Sequence, residues 1–436
     1  MNTEKWKECG VSTKFPTYRN SPLVTEHSWQ QSKRKDDGAE GLWRIHDGLY
    51  DFTEFIDKHP GGSFWIRETQ GMDITEAFEA HHLSTTPEKM IHKYKVRDAV
   101  QPRIYTLTLH EDGFYRTLKG RVREKLKTID MRPKRESDLI HLGLLLSTYL
   151  FAVASVKYNS LLALILASVA LCWTVNVAHN YFHRRDNWQM YTFNLAMLNF
   201  CSWRIAHSMS HHIYPNTFYD LELTMFEPFF CWIPSPYMKS KTMRYLSWIL
   251  EPFVYPIALF LQMATRIFYS LRHTNIMYWH DLLPLSLPLV MYCGSAGSAD
   301  LLFCIRQWIY LTAIASFAFC VIALHATHHN PESYHEGDKI HDDRDWGLFQ
   351  VSSVVDRADI KWSRFLVITH FGDHVLHHLF PTLDHGLLPA LYPILYETLD
   401  QFKAQVLECK NIEHIIGQHK QLLRIEPKQR APGAVK

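Results

Sequence analysis

The sequence predicts two bodies in series: a small α+β domain, then an all-α membrane domain of about four transmembrane helices under a cytosolic, histidine-rich cap. Three observations carry this prediction. Short apolar runs alternate on either side of Asp47-Gly48, the pattern of a two-residue hairpin. Beyond residue 138 come apolar stretches long enough to cross a bilayer, the first two of eighteen residues each without Asp, Glu, Lys or Arg. Histidine, at 27 of 436 residues, gathers in clusters that border such stretches.

The composition narrows the function classes. A net charge of +2 leaves no electrostatic footprint for nucleic acid. The eight cysteines are scattered without a Cys-x-x-Cys pair, which argues against a disulfide framework and against thiolate-bound zinc or iron–sulfur clusters. The N-terminus, Met1 to Lys7, is too polar for a cleaved signal peptide, so membrane targeting is expected from internal segments. Residues 1–40 are polar and charge-mixed and are expected to form a mobile tail.

Order is expected to begin at Trp43. After the hairpin, Thr53 to Lys58 reads as one or two helical turns, stopped by His59-Pro60-Gly61-Gly62. Gly71, Asp73, Thr75 and Phe78 follow, then His81 and His82. Over residues 41–105 this pattern resembles a cytochrome b5 domain, whose fingerprint leads through Tyr-Asp, Thr and Phe into His-Pro-Gly-Gly. The resemblance implies a haem b held by one imidazole on each face, from His59 and His82. His82 lies 23 residues after His59, the separation of b5 domains fused to desaturases. His81, its neighbour, is the alternative. Two protein ligands leave no open position for oxygen, so such a haem carries electrons.

Residues 106–137 are dense in Arg and Lys interleaved with aromatic and aliphatic residues, and are expected to form a basic amphipathic linker along an anionic leaflet. Residues 138–425 then form the membrane domain, and 426–436 a C-terminal tail. Leu139–Val156 and Leu161–Ala178 are joined by four residues, which predicts a transmembrane hairpin of two helices, each about 27 Å long. The basic linker before it and Arg184-Arg185 after it place both its ends on the cytosolic side. Trp188–Trp203 suits an interfacial or shallow re-entrant helix. Of Leu246–Phe268 and Leu282–Cys293, one is expected to cross, and Leu301–Leu324 is the clearest later span.

Four histidine clusters adjoin these segments: His179/His183, His207/His211/His212, His325/His328/His329 and His374/His377/His378. Imidazole suits iron, copper, nickel and zinc, and the clusters are expected to assemble one metal centre. The zinc-protease pattern needs Glu after the first His, where Asn180 stands, and ferritin-type sites need Glu-x-x-His pairs, which are lacking.

His-x-x-x-His, His-x-x-x-His-His and a late His-x-x-His-His before Leu379-Phe380-Pro381 resemble the three histidine boxes of membrane fatty-acid desaturases. The b5-like domain ahead of them is the arrangement of the b5-fused branch. The resemblance covers roughly residues 41–390 and implies two non-haem iron ions bound by about nine histidines. Carried across by motif, these are His179, His183, His207, His211, His212, His374, His377 and His378, with His329 as the ninth because relatives place one ligand after the last span. His325 and Asn180 are candidates for the layer outside the ligands. The chain departs from the branch in having Asn180 where Asp is usual and His374 where Gln is common. Together the resemblances imply a membrane oxidoreductase passing electrons from the haem to the iron pair. Molecular oxygen and a fatty acyl or other lipid chain would be the substrates, and NADH-dependent cytochrome b5 reductase the electron source. The implied place is the endoplasmic reticulum membrane, with both termini cytosolic. Desaturation and hydroxylation share one hydrogen-abstraction step. A membrane-anchored electron carrier with a non-catalytic desaturase-like domain is the other possibility.

Overall fold

The computed structural model describes residues 10–21, 24–227, 229–272, 277–323, 328–361 and 363–435. His325 lies outside them. Both predicted bodies are present, and they are packed against each other.

The first ordered helix lies where a mobile tail was expected. α1 (Glu26–Asp36) starts at Thr25, whose side chain accepts from Ser28 N while Ser28 returns a bond to the Thr25 backbone. One face of it, Gln30, Ser32, Lys33 and Asp36, is internal, while His27, Gln31, Arg34 and Lys35 are exposed. Trp29 is buried and its indole donates to the Tyr219 carbonyl at 3.0 Å, while Lys33 pairs with Asp37 at 2.8 Å and also bonds the Tyr105 hydroxyl. The segment that looks like a tail is thus held by the buried partners of one face.

The α+β domain is a three-stranded antiparallel sheet, β1 (Trp43–Ile45), β2 (Gly48–Tyr50) and β3 (Lys95–Asp98), in that spatial order. His46 and Asp47 form the tight turn, with His46 in the left-handed region at φ 53°. Three short helices cover the sheet: α2 (Ser63–Glu68), α3 (Thr75–His81) and α4 (Thr86–Ile91). Trp43, Ile45, Tyr50, Phe52 and Phe78 form their own small core.

α3 is also the anchor to the rest of the chain. Glu76 and Asp73 bind Arg103 at 2.6–2.8 Å, and Glu76 accepts from the Tyr214 hydroxyl at 3.0 Å. Glu79 gathers His46 (2.9 Å), Lys119 (2.8 Å) and Arg116. Burial alone would raise the Glu79 carboxyl, but these three partners hold it well below the usual carboxylate range. The linker therefore differs from the leaflet-bound helix expected. In α5 (Phe114–Leu126), Phe114, Tyr115, Leu118 and Val122 are buried, Arg123 donates to the Leu83 carbonyl, and Arg121 reaches Thr398. α5 is a strut between the two bodies. Glu79→Ala would leave Lys119, 2% exposed, without its close counter-charge. It is expected to cost about 3–5 kcal/mol, read as a lower unfolding temperature and easier haem loss.

Among the described residues, the membrane domain supplies four helices long and apolar enough to cross: α6 (Arg132–Lys157), α7 (Leu161–Phe182), α8 (Lys241–Ser270) and α9 (Leu301–Ala323). α7 is the central one, with 67% of its apolar window buried against 22–33% for the others. Asn159, at φ 47°, makes the turn from α6, and Ser160 caps α7 through Ala163 N. α8 continues through Pro252 and Pro256 and has the length and composition of a span, while Glu251 bonds His419 of the C-terminal region at 3.0 Å and Arg266 bonds Asp281 at 2.6 Å. The competing segment runs as a 3-10 stretch, Trp279–Leu285, directly into the helix Ser286–Gly294, from Asn194 and Asn199 at its start to Val153 of α6 at its end. It packs on α6, with Tyr149 and Ser286 hydroxyls 2.7 Å apart. Trp188–Trp203, expected as an interfacial or shallow re-entrant helix, forms two short helices, Gln189–Ala196 and Phe200–Trp203, largely buried and tied to Asp281 through Asn199 at 2.8 Å.

The cap beyond α9 contains α10 (Trp346–Ser353), α11 (Arg364–His370), α12 (His374–Leu379) and a parallel pair, β4 (Val355–Arg357) with β5 (Leu407–Cys409). The C-terminal tail is held on it by Arg424 to Asp338 and by Lys428 N to Asp338, both at 2.7 Å.

Candidate haem and metal sites

The haem corner follows from its turn. Gly62, at φ 109°, closes the loop in a conformation open to glycine, and His59 Nδ1 donates to the Gly62 carbonyl at 2.9 Å. At the end of α3, His82 Nδ1 donates to the Phe78 carbonyl at 2.9 Å. Each bond fixes the tautomer and leaves Nε2 as the ligand atom. The His59 and His82 ring centres are 6.1 Å apart, close to the roughly 6 Å that two imidazoles on opposite sides of one iron require. Burial lowers His59 and pushes His82 down to about 4, keeping the neutral form a metal needs. His81 instead lies against Trp65, ring centres 5.4 Å apart. The geometry favours His82 over His81, and the corner fits a haem.

The second site is built where α7 ends. His179 and His183, four residues apart on that helix, bring their Nε2 atoms within 3.0 Å. The next cluster sits on a π-helix, Arg204–His211, in which His212 N bonds the His207 carbonyl five residues back. This wide turn brings His207 and His212 Nε2 within 3.0 Å. The last cluster rides on α12, a helix too short to hold itself. Asp356 of β4 caps it from outside, accepting from His374 N at 2.9 Å and Val375 N at 3.1 Å.

Two sets of nitrogens result. The ligand atoms of His179, His183, His207, His212 and His377 all lie within 4.8 Å of one another, and so do those of His211, His328 and His378. His374 Nε2 joins the second set, 3.0 Å from His328 Nε2. His179 Nε2 alone lies 2.7, 3.0 and 3.3 Å from those of His207, His183 and His377. One imidazole nitrogen carries either a single proton or a single lone pair, so it cannot satisfy three such neighbours by hydrogen bonds. Two nitrogens at about 2.1 Å from one ion, at right angles, stand about 3.0 Å apart, which is the spacing seen. His378 Nε2 is buried with no hydrogen-bond partner among the described residues. The donor set fits two imidazole-bound transition-metal ions.

The outer nitrogens are held as metal ligands require. Nδ1 of His207 donates to Glu222 (2.7 Å), that of His211 to Asp220 (2.8 Å), that of His378 to Gln350 (3.0 Å) and that of His328 to the Ser353 carbonyl (3.2 Å). Burial pushes His183, His212, His374, His377 and His378 well down, as neutral rings. His211 differs: burial lowers it, but Asp220 and Glu222 outweigh that and lift it to about 9. The same carboxylates make it a more basic donor.

Eight of the nine expected ligands are brought together. The exception is His329, whose ring lies flat on Trp232, centres 3.9 Å apart. His328 occupies the place in the second set. Consecutive residues in a non-helical segment face different ways, and Trp232 captures the second. Asn180 acts through a residue not anticipated: its Oδ1 accepts from His385 N at 3.1 Å and Nδ1 at 3.0 Å, while its amide donates to Asp384. His385 thereby stands 4.4 Å from the His377 ring. His385 and Asp384 follow Leu379-Phe380-Pro381 closely in sequence, the one local signal that could have found them.

Comparison with known proteins covers both bodies. The fatty acid desaturase family model matches residues 158–409, and that of the cytochrome b5-like haem/steroid binding domain matches residues 28–100. The latter begins within α1, ahead of the expected boundary at residue 41. The cytochrome b5-related protein of Drosophila melanogaster is 72% identical over 436 residues, the whole of both chains. The probable Delta(5) fatty acid desaturase C of Dictyostelium discoideum is 23% identical over 86% of this chain and 90% of its own. The acyl-lipid (8-3)-desaturase of Mortierella alpina is 22% identical over 91% of this chain and 96% of its own. No solved structure matches.

Proposed function

Since the chain belongs to the fatty acid desaturase family and carries a cytochrome b5-like domain ahead of it, we propose that it is a haem-containing membrane oxidoreductase acting on a lipid acyl chain with molecular oxygen. The observation that carries this is the convergence of nine buried imidazole nitrogens in two sets beside a docked haem corner. His59 and His82 would hold haem b. His179, His183, His207, His212 and His377 would hold one iron, and His211, His328, His374 and His378 the other. The iron pair would supply oxygen activation and hydrogen abstraction. The chain's own contribution is positional: Glu222, Asp220, Gln350 and Ser353 fix the imidazole tautomers, and the buried cap excludes water.

Electrons would enter from an NADH-dependent cytochrome b5 reductase in the endoplasmic reticulum membrane, with both termini cytosolic as the basic flanks of α6 and α7 suggest. Desaturation is the activity named in the relatives from Dictyostelium and Mortierella, and hydroxylation would need the same site. The Drosophila relative, named only for cytochrome b5, favours a second reading as an electron carrier. One experiment separates them. The doubly substituted His377→Ala/His378→Ala protein, expressed beside the wild type, should lose the unsaturated or hydroxylated product from cellular lipids. Unchanged lipids with haem reduction intact would make the protein a carrier.

A further inference from the structure

The haem domain does not hang from a tether. Gly62, which closes the His59 loop, lies so near the residues after His183 that an added Cβ would meet Asp186 Oδ2 at 2.5 Å. Asp186 in turn binds Arg204 at 2.7 Å. Arg204 is 1% exposed and opens the π-helix that bears His207 and His211. Its guanidinium lies over the Trp65 ring at 4.7 Å, and Trp65 rests on His81, the residue beside the haem ligand His82. On its other side, Arg204 Nε donates to the Phe182 carbonyl at 2.8 Å. The Phe182 ring stacks on His183 at 5.0 Å and meets His179 edge-on at 5.2 Å.

We propose that Trp65, packed between His81 and Arg204, is the positioning residue that couples the haem to the histidine-bound iron within one chain. Resting on the oxidoreductase function above, it makes electron transfer a property of a fixed junction rather than of a diffusing domain. One electron passes at a time: the haem iron goes from ferrous to ferric and one iron of the histidine site from ferric to ferrous. Trp65, Arg204 and Phe182 are neither oxidised nor reduced. They fill the gap with bonded and van der Waals contacts, across which electronic coupling decays less than across open space.

A second seam joins the same two regions. Tyr115 reaches the carbonyls of Glu79 in α3 at 3.3 Å and of Leu379 in α12 at 3.2 Å. These are long bonds from one shared hydroxyl, although the Tyr115 ring also stacks on Phe380 with centres 6.0 Å apart, so this seam is the competing route that the test must separate.

The test uses the intact protein holding haem and ferric iron, under argon. A flash reduces the haem by one electron, and its reoxidation is followed in the Soret band. Trp65→Leu should slow reoxidation roughly tenfold, while Trp65→Phe, which keeps an aromatic face on Arg204, stays near the wild type. The low-spin spectrum, haem midpoint potential and iron content should not move in either variant. Trp65→Met, unbranched and able to adapt to the gap, replaces the leucine variant if that one loses haem, with the same slowing expected. Wild-type rates in Trp65→Leu or Trp65→Met, a Trp65→Phe as slow as they are, or equal slowing by Tyr115→Phe would each overturn the proposal while leaving the function standing. A wild-type haem that stays reduced beside ferric iron would remove the function and the junction together.

Discussion

His328→Ala is expected to lose about half of the non-haem iron, whereas His329→Ala keeps the wild-type metal content. The two residues are neighbours with nearly the same chemistry, so the contrast isolates geometry. His328 Nε2 lies 3.0 Å from the Nε2 atoms of both His211 and His374, and its Nδ1 donates to the Ser353 carbonyl. The set it belongs to has only four members, and deleting one leaves three nitrogens for that ion. His329 contributes its ring to Trp232 at 3.9 Å, with planes 7° apart. Its loss should cost packing, not metal. Metal analysis of the two purified variants decides: iron lost from His329→Ala and retained in His328→Ala would reverse the assignment.

The second large effect is at the haem. His59→Ala and His82→Ala should each abolish the low-spin, two-histidine spectrum, and His81→Ala should preserve it. The 6.1 Å separation of the His59 and His82 rings and their carbonyl-bound Nδ1 atoms set up two Nε2 ligands. His81 is half-buried like His82 and also held down at about 4 by desolvation, so burial does not distinguish the neighbours. Their directions do. A His81→Ala protein without the low-spin bands, beside a His82→Ala protein that keeps them, would reassign the ligand.

What could be read from the chain alone follows the range of the interactions. His179/His183 and the last cluster are legible because helix geometry fixes spacings within a turn. The b5-like corner is legible because Pro60 and Gly62 restrict the backbone locally. His328 against His329 was not, since the choice depends on Trp232, far away in sequence. α5 misled for a similar reason: its Arg and Lys residues look solvated until Glu79, Thr398 and the Leu83 carbonyl are brought to them. α1 carries local signals of its own in the sequence. Thr25 caps it, and Lys33, Arg34 and Lys35 fill its last turn, where cations favour the helix dipole. The region from 241 to 294 is illegible by length alone: Lys241–Ser270 is the longer apolar run, but the bond of Glu251 to His419, far away in sequence, follows from no local pattern.

Iron counted against haem in the purified wild-type protein tests the central claim most directly. About two irons beyond the haem iron are expected for each chain, held by His211, His328, His374 and His378 and by the five-histidine set. Haem iron alone, or zinc in place of the second and third metal ions, would contradict it.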